Sequence, residues 1–78
     1  MDGQLIEFIN GSFKVKKGDL IQRYFTGTND EYRGKVGEFV RSTGNPAEDG
    51  RIYIMVKFQH MTYDEELYAH KFYYLGGN

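Results

Sequence analysis

An all-β fold is predicted by three features of this 78-residue chain. Residues 51–58 read RIYIMVKF and alternate cleanly, with Ile52, Ile54, Val56 and Phe58 on one face and Arg51, Tyr53, Met55 and Lys57 on the other. Turn-forming residues recur at short intervals and cut the chain into strand-length pieces. Six Phe and seven Tyr supply residue types that suit a pleated, half-buried surface.

Each element follows from this punctuation. Residues 4–9 form an apolar run that ends at Asn10-Gly11, a pair suited to a type I′ turn, and residues 12–17 resume alternation through Phe13 and Val15, so a hairpin is expected. Gly18-Asp19 marks a second turn before a strand at 20–25, and residues 26–32 read as a polar loop. A strand at 35–41 follows Gly34, with its inward face either Val36 and Val40 or Gly37 and Phe39. Gly44, Asn45, Pro46, Asp49 and Gly50 make residues 42–50 a loop leading into the strand at 51–58. The aromatic-rich end reads as a strand at 65–69, a short 3₁₀ turn near 70–72 and a closing strand at 73–75. A carboxy-terminal helix of about ten residues, started at Thr62 with Asp64 and Glu65 in its first turn, is the alternative. The expected core is Ile52, Ile54, Val56, Phe58, Leu20 or Ile21, Phe39 or Val40, and Leu67.

The length suits a single domain over residues 1–78, with a modest core. There is no cysteine, so neither a disulfide nor a thiolate metal site can staple it, and the aromatic residues carry that burden. No apolar stretch approaches the roughly 20 residues that span a bilayer, and no leader pattern opens the chain, which predicts a cytoplasmic protein without membrane insertion. The formal net charge of −1 is spread in mixed signs and argues against a protein built chiefly for nucleic acid or anionic lipid.

Catalytic chemistry finds no footing. Ser12 and Ser42 lack a nucleophile-elbow context, and without cysteine there is no thiol catalysis. The spacing of His60 and His70 matches no common ligand pattern, and Glu65 and Glu66, adjacent on a strand, point to opposite faces. The glycines form no phosphate cradle. The expectation is therefore a non-enzyme with no metal and no cofactor.

The segments KKGDLI, YRGKVGEFV, RIYIMVKF and EELYAHKFYYL, separated by a long polar loop, a second loop and a short turn, resemble the small SH3-like barrels over residues 16–75. That group includes KOW domains, Tudor-type domains and photosystem I accessory subunits of the PsaE type. Gly18-Asp19, Gly34, Gly37 and Val56-Lys57-Phe58 carry the resemblance. It implies a closed barrel of five or six antiparallel strands, to which the first hairpin is an addition. Closure would also remove the exposed edges that a short open sheet leaves.

Seven tyrosines exceed what so small a core needs, and Tyr and Arg are enriched at binding hot spots. Tyr53 and Met55 are the first candidates for contact with a partner, with Arg51 on the same strand face and Tyr24 and Tyr32 flanking the long loop. The expected function is a non-catalytic protein-binding module, either an accessory subunit or an inhibitor or regulator docking on a larger protein. The alternative is a KOW-like RNA-binding domain using Lys14, Lys16, Lys17, Arg33, Lys35 and Arg41 on phosphates, although a pI near 6.1 is low for one. Residues 4–9 could also join two copies through an unpaired strand edge.

Overall fold

Alternation and turns produce seven strands and no α-helix among the described residues of the computed structural model, which are 3–24, 31–46 and 51–77. β1 (Gln4–Phe8) and β2 (Gly11–Val15) form an antiparallel two-stranded sheet. β3 (Leu20–Arg23), β4 (Val36–Pro46), β5 (Ile52–Phe58), β6 (Glu65–Tyr68) and β7 (Phe72–Gly76) form a second, antiparallel throughout, in the order β6-β5-β4-β3-β7. A 3₁₀ turn at Ala69–Lys71 joins β6 to β7. The strand–turn–strand reading of the carboxy-terminal segment therefore holds, and the helical alternative does not form.

The first hairpin turns differently from expectation. Phe8 pairs with Gly11, so Ile9 and Asn10 make the reversal, and among the described residues only glycines adopt positive φ. Asn10 is thus not in the left-handed conformation that a type I′ turn needs, while Gly11 takes φ +128°. The Asn10 side chain instead acts as a piece of strand. Its Nδ2 donates to the Tyr74 carbonyl at 3.0 Å and its Oδ1 accepts from the Tyr74 amide at 2.9 Å. The Ile9 amide donates to the Phe72 carbonyl at 2.9 Å. The hairpin tip thereby satisfies the side of β7 turned away from β3.

That arrangement corrects the expectation of closure. The outer strands β6 and β7 do not pair with each other, so the five-stranded sheet stays open. Backbone groups on β7 that closure could have used are taken by Ile9 and Asn10, which protects the edge in another way.

β4 also runs further than residues 35–41, through Ser42 to Pro46, where a loop is expected. Its pairing with β5 shifts register between Phe39 and Arg41 and again between Ser42 and Pro46, and these irregularities let a strand absorb Gly44 at φ +82°. The Thr43 hydroxyl donates to the Tyr53 carbonyl at 3.2 Å and accepts from the Asn45 amide at 3.1 Å, tying the irregular stretch to β5. Pro46 ends the strand opposite Ile52, a terminal position where a missing amide costs little. The rest of that predicted loop, 47–50, and most of the long loop, 25–30, lie outside the described residues.

The core joins both sheets: Ile6, Phe8 and Val15 from the hairpin pack with Ile21, Phe39, Ile54, Val56, Phe58, Ala69 and Phe72. The two open choices resolve to Ile21 and Phe39, while Ile52 and Leu67 pack at the margin. Gly37 explains the strand phase. It lies opposite Ile21 and Phe58, and a Cβ there would sit 2.8 Å from Val56 Cγ1 and 3.1 Å from Phe58 Cδ1. The inward face of β4 therefore contains a residue with no side chain, whose space β5 fills, and Val36 is left exposed.

One carboxylate is buried beneath the turn into β3. Asp19 is 4 % exposed, and its Oδ2 accepts the Lys16 amide at 2.9 Å and the Tyr74 hydroxyl at 2.8 Å. The Tyr74 ring stacks on Phe13 at 4.7 Å between centroids, so this side chain of β7 links β2 to the turn that enters β3.

Tyr32 ends in the core rather than on a docking surface. It is 9 % exposed and its ring lies on Phe58, 4.7 Å between centroids and 6° from parallel. The chain turns inward here because Gly34, at φ +72°, and Lys35 close the base of the loop: Gly34 N–H donates to the Arg23 carbonyl, and Lys35 N–H to that of Tyr32. Burial, then the hydrogen bond with Glu31, then the negative charges of Glu65 and Glu31 push its hydroxyl up from 10.0 to about 12. The hydrogen bond to Asp19, followed by burial, moves Tyr74 in the same direction.

A pKa raised by folding means that the folded state holds the proton more tightly. The stabilisation is complete below the unfolded value of 10.0 and is lost as pH rises through about 12. The urea midpoint should therefore fall across that window, and the fall should be shallower in Tyr32→Phe. An equal fall in wild type and variant would assign it to other groups.

Candidate functional site

The alternation of β5 that buries Ile54, Val56 and Phe58 places Tyr53, Met55 and Lys57 on the opposite face. Pairing with β6 sets Tyr68 opposite Tyr53 and Glu66 opposite Met55, and pairing with β4 sets Arg41 on the other side of Met55. The Tyr53 and Tyr68 rings are tilted by 52° with centroids 5.8 Å apart, an arrangement that suits their quadrupoles. Tyr53, Met55 and Tyr68 are each half-buried, so each is braced by neighbours yet keeps surface to offer. A polar rim surrounds them. Asn45 Nδ2 donates to Glu66 Oε2 at 2.9 Å, and Arg41 Nη1 donates to the Ser42 carbonyl at 3.3 Å.

The other candidate residues lie elsewhere. Arg51 lies against β1, with its Nε 3.5 Å from Glu7 Oε1, and His70 Nε2 is 3.6 Å from Glu7 Oε2. This cluster lies where β1 meets the sheet, onto which the buried Ile6, Phe8 and Val15 pack the hairpin. Tyr24 packs beside Tyr73, with centroids 5.8 Å apart, and its amide donates to the Lys71 carbonyl. Of the five residues predicted to meet a partner, only Tyr53 and Met55 come together. Tyr68, absent from that group, completes their face because the β5–β6 register sets it opposite Tyr53.

The basic residues divide in two. Lys16 and Lys17 at the end of the hairpin and Arg41 on β4 line one open groove of about 490 Å³ with Gly3, Gln4, Val15, Phe39 and Val40. The Lys14 stem lies against Gly3, where an added Cβ would be 2.9 Å from its Cγ. Arg33 and Lys35 belong instead to the turn below the long loop. No tyrosine lines the groove, which separates these cations from the rings expected to stack bases.

Glu65 and Glu66 lie opposite Val56 and Met55, on different faces of β5. Among the described residues no group of three His, Asp or Glu side chains is placed to hold a metal ion, and no helix is long and apolar enough to cross a membrane. The chain matches no family model, no curated protein and no solved structure.

Proposed function

We propose that this chain is a non-catalytic, cytoplasmic protein-binding module that docks on a larger protein as an accessory subunit or inhibitor. Its contact surface is the Tyr53–Met55–Tyr68 face. The observation that carries the reading is the pairing of two half-exposed tyrosine rings beside a methionine on the sheet face opposite the core, rimmed by Arg41, Asn45 and Glu66. Rigid rings that carry hydroxyls, an adaptable thioether and a polar margin form the composition that concentrates binding energy at interfaces.

Within the same proposal, the five-stranded sheet is an SH3-like architecture left open at one seam. Support comes from the strand order, from the long connection between β3 and β4 and from the 3₁₀ turn that carries the chain from one outer strand to the other.

Replacing Tyr53 and Met55 together by Ala should weaken partner binding by more than about 2 kcal/mol, roughly thirtyfold, without changing the circular dichroism spectrum. The measurement is capture from native extract with and without nuclease, followed by titration of the recovered partner. A folded double variant with full affinity would place the interface elsewhere. Sedimentation of the chain alone reads whether a second copy is the partner, as pairing through strand edges would require.

A further inference from the structure

We infer that the groove between the hairpin and β4, which borders the tyrosine face and shares Arg41 with its rim, is a second binding site for the phosphate backbone of a single-stranded nucleic acid. Lys16 and Lys17 are far from Arg41 in the sequence, and the fold brings all three to the lining of one open groove. The route is specific. The Gly18 amide donates to the Phe39 carbonyl and the Phe39 amide to the Asp19 carbonyl, each at 2.9 Å, so the turn that presents the lysines is bonded to the strand that presents the arginine.

All three cations are exposed, and no carboxylate is among the residues that line the groove. Asp19, the nearest acid in the turn, is buried and already accepts the Lys16 amide and the Tyr74 hydroxyl. A chain of net charge −1 has thus gathered positive charge in one place, with Gln4 also lining the groove and the Lys14 stem against Gly3. Exposed cations gathered on one open surface raise the local concentration of anions, and guanidinium and ammonium groups both suit phosphate oxygens.

The groove offers no exposed ring on which a base could stack. The site should therefore follow the backbone without reading sequence, and the counterions released on binding should dominate its affinity.

The test is fluorescence anisotropy with a labelled single-stranded RNA oligonucleotide of mixed sequence and the whole chain. Three phosphate contacts predict a slope of log affinity against log salt of about −2, so affinity should fall roughly twentyfold between about 50 and 200 mM salt. Lys16→Glu with Lys17→Glu should reduce affinity more than about tenfold and bring the slope near −0.7. Arg33→Glu with Lys35→Glu makes the same change of net charge outside the groove and should leave binding within about twofold, given the screening of distant charges. Equal losses in the two charge-matched pairs would reduce the effect to overall charge and overturn the site. Absence of binding at low salt would overturn it too, as would retention on phosphatidylserine vesicles as strong as on RNA.

Discussion

Phe58→Ala is expected to cost about 3–5 kcal/mol and to lower the melting temperature by roughly 15 °C or more, because it removes the central ring of the core. Phe58 is fully buried. Its ring lies against Tyr32 at 4.7 Å and near Phe72 at 6.3 Å between centroids, and it faces Gly37 across the β4–β5 pair. The glycine cannot fill the space left by the ring, and Tyr32, held through the loop base, cannot collapse far. A domain of this length has about 4–12 kcal/mol in total, so the variant should be substantially unfolded at moderate temperature. Urea titration checks this, with Leu75→Ala, at a half-exposed position, as the control expected to change stability by less than about 0.5 kcal/mol. A loss below about 1 kcal/mol at Phe58 would show that this ring is not the centre of the core.

The second large effect is at a polar residue. Asp19→Ala should cost about 3 kcal/mol, since it removes a buried charged acceptor from the Lys16 amide and the Tyr74 hydroxyl together and leaves two part-buried donors without it. Asp19→Asn retains one acceptor oxygen and should lose about half as much. A double-mutant cycle with Tyr74→Phe should give a coupling above about 1 kcal/mol. Additive losses would mean that the two side chains act separately, and the carboxylate would then serve only the local turn. Because Asp19 also supports the turn carrying Lys16 and Lys17, its loss should loosen the basic groove as well as the fold.

Much of the fold was legible because period-two alternation and turn chemistry are local properties. The strand at β5, the hairpin with its turn near Asn10-Gly11, and the strand–3₁₀–strand ending could each be read within a window of a few residues. The phase of β4 could not, since Gly37 looks like a turn residue until Val56 and Phe58 are seen to fill the space above it. The extension of β4 to Pro46 was hidden for a similar reason. Glycine, asparagine and proline signal a loop locally, and only pairing with β5 across two irregularities makes a strand of them. For the candidate site, Tyr53 and Met55 followed from alternation alone. Tyr68 depended on a register between strands, and Tyr32 was misplaced because a loop residue gives no local sign that it will turn into the core.

The sequence by itself determined the β class and the face of β5 that is buried, because hydrophobic periodicity acts at short range. Tertiary structure decided the rest. It left the sheet open by spending the free side of β7 on Ile9 and Asn10. It buried Tyr32 in the core, bonded the partly buried Tyr74 to Asp19 and left Tyr53 and Tyr68 as a pair. It also gathered Lys16, Lys17 and Arg41 into one groove. Each of these outcomes depends on which distant residues become neighbours, and that is set by strand order and register, which no short stretch of the chain contains.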